Sequence, residues 1–353
     1  MEYDLIVIGS GPGGYVASIR ASQLKMKVAV IEKADIGGVC LNWGCIPTKA
    51  LLKSAQVYEY LKHPADYGIT AEGSVKPDFG AIIARSRAVA EGMSKGVQYL
   101  FRKNKIDQLT GKGRLAGNGM VEVVDAAGEK KQYSAKNIIL ATGARSKELP
   151  GLKQDGRKII GYREAMSLEK QPESMVIVGS GAIGSEFACF YQTLGTSVTL
   201  VEFLPRIVPN EDEEVSKYLE RSFKKMGMKI MTGSSVESAE IAGEKCLARI
   251  RTPKGEETVE TDIIFSAVGV TPNLEDLGLE TAGVGTDRGK VIVDEYYRTP
   301  VPGIFAIGDI VHGPALAHVA SAEGIICVEK IAGLNPEPLD YRNIPACTYT
   351  SPE

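Results

Sequence analysis

The segment Tyr3–Lys33, "YDLIVIGSGPGGYVASIRASQLKMKVAVIEK", reads as an apolar strand, a glycine turn, a helix and a second apolar strand ending near an acid. Segment Ser174–Phe203, "SMVIVGSGAIGSEFACFYQTLGTSVTLVEF", repeats that order 170 positions later, Gly9 corresponding to Gly179. Ser10, Gly11, Gly14 and Glu32 likewise map onto Ser180, Gly181, Gly184 and Glu202. In each copy the first glycine permits a tight turn, the second leaves room for a pyrophosphate, and the third lets helix and strand pack closely. The helix that follows turns unpaired N–H groups and its positive dipole end toward the phosphates. Glu32 and Glu202 each lie 18 residues past the last glycine, placed to accept hydrogen bonds from a ribose. One glycine motif alone also serves plain turns; two copies in the same strand and helix context point to two bound dinucleotides. In the second copy Glu202 would repel a 2′-phosphate and favours NAD over NADP, with Arg206 as the opposing feature.

A chain of 353 residues is too long for one ordinary core and suggests two domains. Its 41 basic and 44 acidic residues leave a net charge of −3, which gives no broad electrostatic footprint for nucleic acid or membrane. The start "MEYDLIVIGSG" lacks the basic region of a secretory signal, and no apolar run approaches the roughly eighteen residues of a membrane span. A cytoplasmic location is expected. Six cysteines do not make a disulfide scaffold at this length, so a disulfide in a reducing compartment would be catalytic or redox-sensing. Cys189, Cys246, Cys327 and Cys347 stand singly and read as packing residues.

Between the repeats, residues 46–62 and 78–103 read as helices and residues 106–140 as alternating strands and turns. Residues 212–227 form an amphipathic helix pattern after the second repeat. "NIILATGARSKELPG", "DIIFSAVGVTPN" and "GIFAIGDI" are short apolar strands running into small-residue turns, where an open parallel sheet places ligand contacts. The expected fold is α/β, with two Rossmann-like dinucleotide-binding domains. The first is discontinuous (1–149 and 271–345), the second is inserted (150–270), and 346–353 is a stub.

"GGVCLNWGCIPTKALL", residues 37–52, places Cys40 and Cys45 five positions apart, ahead of a helix-forming stretch. Zinc would need a second ligand pair, and His63, His312 and His318 are dispersed. A structural staple across so short a loop would restrain the unfolded chain little. A redox pair accounts for more: glycines before each cysteine allow close approach, and a helix N-terminus lowers a thiol pKa and supplies the thiolate that exchange requires. Trp43 reads as packing beside the pair.

Taken together, "GSGPGG", "GGVCLNWGCIPTKALL", "ILATGA", "GSGAIGSEF", "FSAVGVTPN" and "GIFAIGDI" resemble the pyridine nucleotide disulfide oxidoreductases, and within them the dihydrolipoamide-oxidising branch. The resemblance covers nearly the whole chain. It implies FAD in the first fingerprint, held by Gly9, Gly11, Gly14, Glu32, Lys33, Lys49, Gly113, Thr142, Gly143, Asp309, Ala315, Ala317 and His318. It implies NAD in the second, held by Gly179, Gly181, Ile183, Gly184, Glu202, Val236 and Gly269. In the helix "PALAHVASAEGIICVEKIAG" an N-terminal end suited to negative charge on reduced flavin agrees with this.

In the mechanism the resemblance implies, a substrate thiolate attacks Cys40, and Cys45 leaves as the thiolate that passes electrons to the flavin. Lys49, paired with Glu186, would sit beside the flavin and tune its potential. The partner implied is the lipoyl domain of a 2-oxoacid dehydrogenase or glycine cleavage complex. A reductase of another disulfide or of mercuric ion, and a non-catalytic cofactor-binding module, are the competing readings. The family pattern continues into a C-terminal interface domain that builds a homodimer and supplies the acid and base for the dithiol. This chain stops at "IPACTYTSPE", so that domain is expected to be absent and full turnover impaired.

Overall fold

A computed structural model describes residues 2–70 and 72–353 and divides the chain into two compact units. One comprises Met1–Asn42, Ala90–Arg145 and Thr271–Pro345; the other comprises Trp43–Val89, Ser146–Val270 and Ala346–Glu353.

In the first unit the strand Glu2–Ile8 lies between Val28–Glu32 and Lys130–Leu140, parallel to both, with Ile6 opposite Ala29 and Ile138. Asp107–Thr110 extends this parallel sheet beyond Val28–Glu32, and Ile304–Ala306 pairs with Lys130–Leu140. Leu5, Ile6 and Val7 are fully buried in succession, as a parallel strand covered on both faces requires. The first fingerprint helix, Pro12–Gln23, buries only small residues, Gly13, Gly14, Ala17, Ser18 and Ala21. It packs on the helix Ala317–Ile331, where a Cβ on Gly324 would lie 2.8 Å from the Gly13 carbonyl. Small residues on both helices therefore set their close approach.

In the second unit Ser174–Val178 lies between Ser197–Val201 and Ile263–Ser266, again all parallel, and is followed by the second fingerprint helix, Ala182–Leu194. A three-stranded antiparallel sheet, Ser235–Ala242, Lys245–Thr252 and Gly255–Thr261, adds Cys246, Ala248 and Ile250 to a core shared with Val176, Val201 and Ile264. The helix Cys45–Lys62 packs along the second fingerprint helix, and the Phe79 ring meets Phe190 and Tyr191 at centroid distances of 6.4 and 6.2 Å.

This partition differs from the boundaries drawn on the sequence. Residues 43–89, assigned there to the first domain, and residues 346–353, set apart there from both, pack with the second unit. The physical reason is Glu186 on the second fingerprint helix, which binds Lys49 from one segment and the Tyr349 backbone N–H from the other. Among the described residues, no helix is long and apolar enough to cross a membrane.

Candidate functional site

The two glycine turns are built alike. Gly9 has φ +106°, and a Cβ on it would fall 2.2 Å from the Ala141 carbonyl oxygen. Gly179 has φ +96°, with the Ala267 carbonyl oxygen 2.6 Å from such a Cβ. Gly14 and Gly184 close the turn from the helix side: a Cβ there would overlap the carbonyl oxygens of Gly9 and Gly179, at 2.0 and 1.9 Å. Gly11 and Gly181 are the opposite case, with nothing within 4 Å of an added Cβ. They are also the N-caps of the two fingerprint helices, and no side chain caps either helix. Each turn thus presents open space in front of uncapped backbone N–H groups, which is the arrangement an anionic pyrophosphate fits.

Each turn is held by its own acid. The Ser10 N–H and hydroxyl donate to one oxygen of Glu32 at 3.0 and 2.7 Å; Ser180 does the same to Glu202 at 2.8 and 2.6 Å. The other oxygen of Glu32 accepts from the Lys33 and Ala34 N–H groups, and that of Glu202 from the Leu204 N–H. The carboxylates placed by sequence at a ribose therefore brace the glycine turns. Arg206 donates to the Pro209 carbonyl at 3.0 Å.

Lys49, implied for FAD by the sequence, belongs to the second unit; the remaining residues implied for FAD gather in the first. The Thr142 hydroxyl donates to the Asn273 carbonyl at 2.7 Å, while the Asn273 side-chain amide donates back to the Thr142 carbonyl at 3.0 Å. Gly143 follows at φ +65° with open space around it. Gly113 packs against Ile8 and Ile31. Asp309 lies in the turn after Ile304–Ala306, and burial pushes its carboxyl above the usual range, opposed by the nearby Lys290. Ala317 opens the helix Ala317–Ile331, again without a side-chain cap; Ala315 and His318 are exposed, and His318 meets the Pro345 carbonyl at 3.0 Å.

In the second unit Ile183 is exposed beside the open Gly181 and Gly269 adopts φ +102° in open space. Val236 is instead buried in the core, so only its backbone is available to a ligand.

Cys40 and Cys45 are disulfide-bonded. Gly37 and Gly38 both have positive φ, and a Cβ on Gly38 would lie 2.6 Å from the α-carbon of Gly11. The segment carrying Cys40 therefore lies directly on the first glycine turn. Asn42 secures it by donating to the carbonyls of Ile36 and Gly38, each at 3.0 Å. The sequence places both sulfurs ahead of one helix. Cys45 is the first residue of that helix, Cys45–Lys62, with no side-chain cap, whereas Cys40 sits in a short helix of its own, Gly38–Trp43. A helix dipole stabilises a thiolate at the Cys45 position.

Four residues further on, Lys49 Nζ donates to both oxygens of Glu186 at 2.8 Å and lies 4.7 Å from the centre of the Tyr349 ring. Trp43 stacks with the Arg87 guanidinium at 4.0 Å and has Arg163 at 5.2 Å. Burial raises the thiol pKa of Cys189, Cys246 and Cys327, which keeps them inert, and Cys347 is exposed.

Sequence reasoning passed over Asn273, Tyr349 and the bracing role of Ser10 and Ser180. The last was signalled, since serine follows the first glycine in both repeats.

The family model described as pyridine nucleotide-disulphide oxidoreductase matches residues 3–324. The chain belongs to that family, whose fold binds flavin and nicotinamide nucleotides. It is 48% identical over 369 residues to a dihydrolipoyl dehydrogenase of Rhizobium etli and 47% identical over 356 residues to one of Zymomonas mobilis. In both cases the match covers all of this chain and 76% of the relative. The crystal structure of LpdA from Mycobacterium tuberculosis superposes with a TM-score of 0.92 at 29% identity, over 98% of this chain and 76% of that one.

Proposed function

We propose that the chain oxidises dihydrolipoamide to lipoamide with NAD as acceptor, through FAD and the Cys40–Cys45 disulfide. The observation that carries this reading is the disulfide itself, with Cys45 at an uncapped helix start and the Cys40 segment lying on the glycine turn proposed for FAD. Similarity to dihydrolipoyl dehydrogenases over the full chain supports the choice of substrate.

In the proposed step a substrate thiolate attacks the Cys40 sulfur and breaks the disulfide, and Cys45 leaves as a thiolate stabilised by its helix. The second substrate thiolate then attacks the mixed disulfide, releasing Cys40 and closing the lipoamide ring. The two cysteines now hold the two electrons, and the two protons of the substrate thiols have passed to solvent. FAD, when bound, supplies the acceptor for that pair and a hydride donor for NAD.

The first unit would hold FAD through the uncapped Gly11 turn, the Thr142–Gly143 turn and Asp309; the second would hold NAD through the Gly181 turn. We assign Lys49, oriented by Glu186, the role of setting the flavin potential. The proposed partner is the lipoyl domain of a 2-oxoacid dehydrogenase or glycine cleavage complex, with a homodimer as the working assembly.

The test is an absorbance spectrum of the chain with FAD, before and after addition of NADH. Flavin absorbance and a long-wavelength charge-transfer band that vanishes in Cys45→Ser are expected. A band unchanged in that variant would reject the assignment of Cys45. NADH-linked turnover of lipoamide, glutathione disulfide and Hg(II), compared side by side, tests the substrate.

A further inference from the structure

Glu323 is a carboxylate buried to 1% exposure in the helix Ala317–Ile331, one turn before the fully buried Cys327. Both of its oxygens are occupied. One accepts the backbone N–H of Gly308 at 2.5 Å, and the other accepts the hydroxyl of Tyr341 at 2.6 Å. Gly308 has φ +76° and immediately precedes Asp309, so Glu323 fastens the turn that aims Asp309. The Tyr341 hydroxyl is also 3.1 Å from that of Tyr297, and either can be the donor. The Tyr341 ring is seated against the loop after this turn: a Cβ on Gly313 would fall 2.8 Å from it. Lys290 donates to the Asp309 carbonyl. Asp309, Lys290, Tyr341, Tyr297 and Cys327 are thus the titratable groups around Glu323.

We propose that Glu323 is a positioning residue for FAD, holding the Gly308–Asp309 turn and taking up a proton from solvent when the cofactor binds, with the hydrogen bonds of the Tyr341–Tyr297 hydroxyl pair reversing direction. The inference rests on the reading that the first unit holds FAD. The geometry permits both protonation states without loss of the turn. Ionised, Glu323 accepts from Gly308 and Tyr341. Protonated, it donates to the Tyr341 oxygen, Tyr341 reverses to donate to Tyr297, and the second carboxyl oxygen still accepts from Gly308. Burial pushes the Glu323 carboxyl up to about 7, with the bonds from Tyr341 and Gly308 opposing. An anionic pyrophosphate beside the turn would disfavour a second buried negative charge, so FAD binding would take up a proton at Glu323.

The test is FAD affinity, read by flavin fluorescence between about pH 6 and about pH 8, with proton uptake measured by calorimetry in buffers of different ionisation enthalpy. Affinity of the wild-type chain is expected to weaken about tenfold with rising pH for each pKa unit that FAD adds to Glu323. Glu323→Gln keeps an acceptor for Gly308 and an amide donor for Tyr341, so it should bind with the wild-type low-pH affinity, without pH dependence or proton uptake. Glu323→Ala should bind weakly at every pH. The same pH dependence and proton uptake in Glu323→Gln as in wild type would overturn the proposal, as would wild-type affinity in Glu323→Ala. Absence of FAD binding by the wild-type chain at every pH would instead sink the FAD reading, and this inference with it.

Discussion

Lys49 donates to both carboxylate oxygens of Glu186 at 2.8 Å, joining helices whose residues stand 137 positions apart in the chain. The pair is asymmetric: side-chain exposure is 37% for the base and 6% for the acid. Removing the lysine therefore leaves a buried charge whose remaining hydrogen-bond partner among the described residues is the Tyr349 N–H. Lys49→Met should cost about 2 kcal/mol, below the figure for a fully buried pair because the lysine is partly solvated. Glu186→Gln, which can still bond both neighbours, should cost about 1 kcal/mol. Urea unfolding of the two variants measures the difference, and equal losses would mean that the acid is not the buried member.

The glycine turns separate a packing requirement from a binding requirement. Gly14→Ala would drive a methyl into the Gly9 carbonyl, 2.0 Å away, and should unfold or misfold the first turn. Gly11→Ala meets nothing within 4 Å and has an ordinary φ of −63°, so the chain should fold as wild type. Its methyl would nevertheless occupy the space proposed for the pyrophosphate, and FAD retention should fall. Thermal midpoint and flavin content of the two variants, measured together, check both halves.

The bracing serines distinguish the two cofactors. Ser180→Ala removes a buried 2.6 Å bond to Glu202, and Ser10→Ala removes a 2.7 Å bond to Glu32. Each loss is worth about 1 kcal/mol, or about fivefold in affinity if the turn loosens accordingly. Ser180→Ala should weaken NADH binding and spare FAD, and Ser10→Ala should do the reverse. Equilibrium titration of each cofactor reads the outcome; a loss of both in either variant would contradict the assignment of one dinucleotide to each turn.

Acidity should matter to stability through Glu323. Its carboxyl lies at about 7 in the folded chain, above the ordinary 4.5, so the folded state binds more protons than the unfolded state between those values. This contribution is fully present below about pH 4.5 and is lost as pH rises through about 7, amounting to on the order of 3 kcal/mol. Relative to Glu323→Gln, the chain should therefore lose thermal stability across that window. Parallel melting curves for the two proteins would refute this.

The repeats could be read from sequence because each is a local pattern: glycine spacing, an apolar strand and a terminal acid all lie within about thirty residues, the size of one βαβ unit. The cysteine pair was legible for the same reason, and its short loop left few alternatives. Contacts between distant segments carried no such mark. Asn273 meets Thr142 across 131 positions and Tyr349 meets Glu186 across 163. Neither partner is unusual by residue type or spacing. The membership of residues 43–89 in the second unit depends on the same kind of contact, which propensity along the chain does not encode. Glu323 carries no mark in the sequence, and its burial beneath Gly308 and Tyr341 is what sets it apart from other helix acids.

The duplicated serine and glutamate bonds have a consequence for how the chain would acquire its ligands. Because each glycine turn is fastened by an acid from the same βαβ unit, its shape does not wait for a guest. Little ordering entropy then falls on the binding step. Each pocket would fill by docking into a finished seat, and the two dinucleotides could load in either order.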